Sequence, residues 1–420
     1  MPERTPEFAA GCFDRWPEGP RTAWAKLDIT TAGIAVDGER LGRVLPGYPE
    51  QYRTKRSRKL AALRDERIID ASSGPAPHVP EEVILGFGTG KDSIAKVNYR
   101  PDSAVRLACE ADGQLWVERP GAYRIPCSLV QARVADGYCT VIGTDRVAAL
   151  GYEGCSGWMC GTQCLFCDSN PRRPGAASPV PTLNDLRDRF AGDTEAWLGA
   201  AATEYFPRLQ KSVAAVASTA RPHLHLHVMS GNIEDLDRMW RYHLDLGRAV
   251  GEVAPLNDVD SYLNLLPPRD PDLLARAREA GFRQVIFNME VWGDEDYRAV
   301  CPEKAKLMPM PLFLERLRNA VGVFGRGNVR CGLVFGAQAE ERLRQGCEAL
   351  AGMGVACSTT VFTPKRGTPW AQRQLPDPRK AAEFSLFLAR LLQSYGQRPL
   401  YCRLSSRSEI LWELLEDEAP

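Results

Sequence analysis

Four cysteines fall within thirteen positions of GCSGWMCGTQCLFCDSN, residues 154–170. Cys160, Cys164 and Cys167 follow a Cys-x3-Cys-x2-Cys rhythm, and Cys155 stands outside it. Thiolates so close together bind metal. A structural zinc site brings two CxxC knuckles or mixes Cys with His, but here there is one CxxC, and the nearest downstream histidine is His223. Three thiolates suit three irons of a [4Fe–4S] cube and leave the fourth iron without a protein ligand, whereas an electron-carrying cluster is normally closed by four cysteines. An open iron can bind a substrate or cofactor. Cys155 is either a fourth ligand that would close the cluster or a buried residue at a strand end. The second reading is preferred, because the three-cysteine spacing is complete without it. The other nine cysteines are scattered singly and read as small apolar core residues of a reducing compartment.

The elements that must position this loop alternate. Strand patterns at 223–229, 261–266, 284–291, 329–336 and 356–362 are separated by helical stretches such as LDRMWRYHLDLGRAV, PDLLARAREAG, PLFLERLRNAVGVFG and EERLRQGCEALAGMG. RVAALGYEG, just before the cysteines, supplies a further strand and makes six. Such alternation predicts right-handed βαβ units and a parallel sheet, open or closed into a full or partial barrel. Chemistry in these architectures collects in loops at the carboxyl ends of the strands. The cysteines are on one. Upstream, short β-type runs from EEVILGF to YCTVIG predict a small β-rich domain. The expected organisation is an irregular segment 1–75, a β-rich accessory domain 76–145, the barrel 146–370 and a helical extension 371–420. Residues 52–70, YRTKRSRKLAALRDERIID, read as a solvated basic helix.

Other residues at strand ends carry polar groups. His223, His225 and His227 share one face of a strand, ~7 Å apart, which is too far for adjacent zinc ligands, so a polar barrel lining or a packed layer is expected. Asn288 and Glu290 flank Met289 on the opposite face. Two polar groups inside an apolar strand are costly to bury without partners, which directs them to a cavity.

Composition bounds the remaining choices. Lys plus Arg equals Asp plus Glu at 53 each, so no net field draws the chain to nucleic acid or an anionic membrane. No run of eighteen apolar residues occurs, and MPERTPEFAAGCFDRWPEG lacks the apolar core of a secretory signal. A folded, soluble, cytoplasmic protein is expected. LGFGTGKDSI, 85–94, looks like a nucleotide loop, but Asp92 stands where a magnesium-binding hydroxyl belongs and the next residues read as strand.

The spacing CxxxCxΦC, with Phe166 directly before the last cysteine, resembles the signature of the radical S-adenosylmethionine (radical SAM) superfamily, over about residues 145–370. The resemblance implies an α/β fold, a partial (β/α)6 TIM-like barrel, here with an N-terminal β-rich domain. It implies a single [4Fe–4S] cluster on Cys160, Cys164 and Cys167, with SAM chelated by the open iron. One electron from the reduced cluster cleaves SAM to methionine and a 5′-deoxyadenosyl radical, which takes a hydrogen atom from the substrate. Ser230, Gly231 and Asn232 resemble the superfamily's Gly-Gly-Glu turn, with Glu234 two residues late. Asn288 and Glu290 occupy positions used for the SAM ribose or the substrate. Gly332, Val334 and Gly336 match part of a GxIxGxxE pattern that meets adenine, the acid arriving at Glu340. Phe166 is carried over with them as a cofactor contact.

No catalytic side chain is singled out. The leading expectation is an enzyme acting on a small, specialised-metabolite substrate with an external electron donor of the flavodoxin or ferredoxin type, without membrane or nucleic acid. Two alternatives remain. One is modification of a peptide or tRNA docked on the β-rich domain, and the other is a non-catalytic four-cysteine Fe–S or zinc protein.

Overall fold

The computed structural model describes residues 5–56, 78–88, 90–131, 137–169, 179–218, 224–365 and 367–416. His223, most of the expected basic helix at 52–70 and most of the segment 171–181 lie outside them. The chain divides into two compact units, one of 134–359 with 391–401, the other of 1–133, 360–390 and 402–420.

The first of these units holds a seven-stranded sheet in the order Thr140–Ile142, Arg146–Leu150, His225–Met229, Asp260–Asn264, Gln284–Ile286, Val329–Phe335, Ala356–Val361. The last six are the strands expected from sequence and form the curled sheet of a partial barrel. The ladders from Arg146–Leu150 through Val329–Phe335 are all parallel. Thr140–Ile142, read in sequence with the β-rich set, pairs antiparallel with Arg146–Leu150 on the outer edge. The crossover helices Leu236–Gly251, Asp272–Glu279, Met310–Phe324 and Glu340–Gly352 fall where the apolar period places them. Asp235 starts the first by accepting the Arg238 N–H, and Gly325, at φ 86°, ends the third. Strands such as Arg146–Leu150, with Val147, Ala148 and Ala149 buried, read as near-continuous apolar runs because helices cover the sheet.

One strand is shorter than its sequence suggests. QVIFNMEV pairs only over Gln284–Ile286. The Phe287 N–H then donates to the Arg330 carbonyl and the Glu290 N–H to the Gly332 carbonyl, three residues answering two. That extra residue is a bulge. It breaks the two-residue period and leaves Glu290 at φ 75°, a conformation uncommon for a side-chain-bearing residue and found preferentially at functional sites.

In the other unit the strands order as Ala35–Val36, Arg106–Cys109, Leu115–Arg119, Tyr123–Leu129, Glu82–Leu85, Ser93–Lys96, with Glu7–Phe8 on Tyr123–Leu129. Val83, Ala95, Val117 and Ile125 form its core. The nucleotide-loop look-alike lies between two antiparallel strands, Glu82–Leu85 and Ser93–Lys96. The segment 1–75 is not irregular throughout: Arg21–Ala32 is a helix with nine of its twelve residues buried. Burial on nearly every side, Lys26 and Asp28 included, erased the polar stripe by which a helix is recognised. Lys26 Nζ donates to the Ser406 carbonyl (2.8 Å) and to Glu413 Oε1 (2.9 Å), satisfying an ammonium held away from water. Among the described residues, no helix is long and apolar enough to cross a membrane.

Candidate active site

The cysteine loop leaves the carboxyl end of the first barrel strand. Cys155 caps a one-turn helix, Ser156–Cys160, which Gly161 ends in the left-handed region at φ 75°. Cys164 and Cys167 follow in a turn closed by the Cys167 N–H on the Cys164 carbonyl (3.0 Å). Cys160 is exposed, while Phe166, Cys164 and Cys167 are half-buried.

Two segments hold this loop. On one side the Ser156 N–H donates to the Asn232 carbonyl (2.8 Å), and Gly231 lies so close that a Cβ there would overlap the Gly154 carbonyl oxygen. On the other side the Leu165 N–H reaches the Val300 carbonyl (3.0 Å) and the Glu303 N–H the Thr162 carbonyl (3.1 Å). Thr162 Oγ1 donates to Glu303 Oε2 at 2.7 Å. The loop is therefore fixed by backbone hydrogen bonds from both flanks, which preorganises its thiols.

Three thiols on one loop are a donor set that a cluster can take. A lone zinc needs its donors ~2.3 Å from one point, and among the described residues no three His, Cys, Asp or Glu side chains are grouped to hold one ion. A four-iron cube takes each thiolate on its own corner and asks for a wider spread. The Ser169 N–H approaches Cys167 Sγ at 3.5 Å, the kind of backbone donor that supports a charged sulfur. Cys155 differs. Burial pushes its thiol up to about 11, although the N–H groups of Asn232 and Gly157 donate to it. The hydrogen bond that the Cys164 thiol donates to Cys301, together with burial, raises Cys164 well above the usual thiol range; a bound metal reverses such a shift by taking the thiolate.

At the end of the second barrel strand, the Ser230 hydroxyl accepts the N–H groups of Gly151 (3.0 Å) and Tyr152 (3.1 Å). Its own proton lies within reach of His243 Nε2 (2.8 Å) and the Met229 carbonyl (2.6 Å). Tyr152 in turn donates its hydroxyl to the Gly231 carbonyl at 2.8 Å. Ser230 thus clasps the first strand to the second directly beneath the cysteines. Ser230→Ala leaves the buried Tyr152 N–H unpaired, while the Gly151 N–H keeps the Met229 carbonyl (3.0 Å), and a loss of about 1–2 kcal/mol in urea unfolding is expected.

Burial drives His243 down to about 4, below its ordinary ~6.5. A histidine neutral in the fold and protonated when unfolded contributes stability that is complete above about pH 6.5 and lost as pH falls toward 4, at up to ~1.4 kcal/mol per unit. His227, pushed down to about 3 by burial, adds a parallel loss. Urea midpoints measured from pH 7 down to 5 should therefore fall, and less steeply in His243→Gln; equal slopes would refute the assignment.

Asn264, Asn288, Glu290 and Lys304 form a polar ledge after the third and fourth strands. Lys304 Nζ donates to Glu290 Oε1 (2.6 Å) and to the Asn288 carbonyl (3.0 Å). Asn288 Nδ2 points to Asn264 Oδ1 at 3.3 Å, and its amide fills the space that a side chain at Gly332 would take. Burial alone would push Lys304 down, but Glu290, with Cys164 and Cys301, holds its ammonium well above the ordinary lysine range. The ledge therefore adjoins the cysteine loop.

The predicted residues separate clearly. Ser230, Gly231 and Asn232 touch the cysteine loop, Asn288 and Glu290 meet at Lys304, and the Val334 N–H donates to the Glu290 carbonyl (2.7 Å). Gly336 turns out of the fifth strand at φ 90°. Glu234 is exposed past the turn, and Glu340 pairs with Arg344 on its own helix. Lys304, Cys301, Asn264 and His243 were not anticipated. The run DEDYRAVCPEK, which holds two of them, carried the signal in a charged residue and a cysteine directly after a cavity-facing strand.

No family model matches the chain. A curated relative, the bacteriochlorophyllide c C-7(1)-hydroxylase of Chlorobaculum limnaeum, is 26% identical over 150 residues. The match takes in 35% of this chain and 37% of that protein, so the chain spans about a third of the relative's length. Among solved structures, a radical SAM methyltransferase from Sphaerobacter thermophilus has a TM-score of 0.41 at 13% identity, covering 71% of this chain and 76% of that one. Methylornithine synthase scores 0.40 at 16% identity, over 60% and 63%. Coproporphyrinogen III oxidase from Escherichia coli, itself described as a radical SAM enzyme, scores 0.38 at 16%, over 63% and 54%.

A parallel half-barrel whose first strand runs into a Cys-x3-Cys-x2-Cys loop is the arrangement that the sequence resemblance to the radical SAM superfamily implies. The groups that this resemblance implies are a [4Fe–4S] cluster and SAM.

Proposed function

We propose that this protein is a cytoplasmic radical SAM enzyme that removes a hydrogen atom from a small organic substrate inside the half-barrel, drawing its electron from a flavodoxin- or ferredoxin-type donor. The observation that carries the reading is the cysteine loop held between the 230–232 turn and the 300–304 segment, with the Glu290–Lys304 ledge beside it. Cys160, Cys164 and Cys167 would hold the cluster. When bound, cluster and SAM supply a 5′-deoxyadenosyl radical; the chain's own residues bind and orient the reactants.

Gly231 permits close approach of the strand end to the cysteines. With the Ser230 hydroxyl and the Gly231 and Asn232 carbonyls engaged, the 230–232 turn would meet SAM through the Asn232 side chain. Asn288, Glu290, Val334 and Gly336 line the other side, with Phe166 in the loop itself. A relative over a third of the chain, named for hydroxylating bacteriochlorophyllide c, supports a small-molecule substrate, as does the absence of net charge. Modification of a peptide or tRNA finds no comparable support.

The test is anaerobic reconstitution with SAM and dithionite, with 5′-deoxyadenosine as product. Deuterium carried from candidate substrates into that product then identifies the atom removed. Turnover without 5′-deoxyadenosine would overturn the reading.

A further inference from the structure

Below the ledge, the same face of the sheet carries a second polar group that the cysteine chemistry does not use. Register partners in a parallel ladder point to one side, so Arg146 and His225, and His227 and Tyr262, share the face of Asn264. Tyr262 precedes Asn264 by two residues, about 7 Å along the strand. Tyr401, in the segment that belongs to this unit, covers them.

Two donors here lack acceptors. Arg146 Nε is buried without a hydrogen-bond partner, and so is Nε2 of His227, a residue only 5% exposed. Among the described residues no carboxylate pairs with Arg146. Its guanidinium stacks instead on the Tyr401 ring, 4.1 Å from the centroid. Asp260, the acid at this level, stands 3.6 Å from His225 Nδ1. The Tyr401 hydroxyl is 3.1 Å from His227 Nδ1, so the neutral ring accepts that proton and keeps its own at Nε2. Tyr401 holds φ 63°, in the left-handed region. A tyrosine kept there to cap an arginine and a histidine is backbone strain of the kind that gathers at binding sites.

We propose that Arg146 and His227 bind a carboxylate of the substrate at the floor of the half-barrel, leaving the remainder of the molecule to extend toward the ledge. An arginine and a buried N–H, each short of an acceptor, recognise an anionic oxygen pair, because charge-assisted hydrogen bonds are the stronger ones and unmade buried donors are penalised. A neutral isostere satisfies neither demand. The inference rests on the proposed function only in taking the barrel interior as the substrate chamber; the carboxylate site itself is independent of it.

Benzoate and benzamide are the probes, titrated into the full-length protein labelled with 15N-histidine. The chain has five histidines, so the His227 ring is assignable from the spectrum of His227→Gln. Benzoate should shift the His227 Nε2 resonance and bind at least about tenfold tighter than benzamide. Arg146→Met should weaken benzoate by a similar factor, and Arg146→Lys should restore part of it. Benzoate that leaves His227 unmoved, or benzamide that matches it, overturns the proposal without recourse to any variant. No SAM or reductant is present, so this failure is distinct from a failure to form 5′-deoxyadenosine.

Discussion

Replacing Cys160, Cys164 or Cys167 by alanine is expected to lower 5′-deoxyadenosine formation at least about a hundredfold and to strip the protein of iron, because in the proposed site each thiolate would hold its own corner of the cluster. Cys155→Ala should keep both. Its sulfur faces the N–H groups of Asn232 and Gly157 at the start of a short helix, and burial keeps its thiol protonated near neutral pH. The measurements are iron per chain after anaerobic reconstitution and 5′-deoxyadenosine per hour. Iron lost with Cys155 and retained without Cys160 would replace the open cluster by a closed one, and with it the proposed chemistry. Cys301, fully buried against Cys164, is the further control, since its substitution by alanine removes a neighbour of the set and no member of it.

The second large effect is structural. Gly231→Ala should lower thermal stability by about 6 °C or more, corresponding to more than ~3 kcal/mol in a unit of this size. The added Cβ would overlap the Gly154 carbonyl oxygen and stand 2.8 Å from Cys155 Cβ. The overlap with a backbone carbonyl cannot be relieved by rotating a side chain. Relief requires parting the second strand from the cysteine loop, so iron retention should fall with stability. Gly199→Ala is the reference: that helical glycine has open space around it, and alanine there should be neutral or stabilising by up to ~1 kcal/mol. Equal melting temperatures for the two variants would show that the strand end and the loop are not in contact as described.

Much of the barrel was legible because its signals are local. Alternating strands and helices follow from apolar periodicity, and all six strands were found by it, for a strand under helices must be apolar on both faces. Helix Arg21–Ala32 escaped the same reading, since it is buried on nearly every side and its charges, Lys26 and Asp28, are satisfied by residues far along the chain. The strand at 284–291 was read too long because a bulge is an extra residue in a pairing, and pairing partners are invisible in one segment. The cysteines were found by spacing alone. Lys304 and Cys301 were not, as their meaning comes from what they touch.

By itself, then, the sequence determined the rhythm of the three cysteines proposed as cluster ligands, the α/β class and the placement of the loop after the first strand, since each is written in neighbouring residues. Only the tertiary structure decided that Ser230 is a clasp, that Glu290 meets Lys304, and that Arg146 and His227 stand without acceptors on one barrel face. Those relations join side chains tens to hundreds of positions apart, and distance in the chain carries no record of contact until the chain has folded.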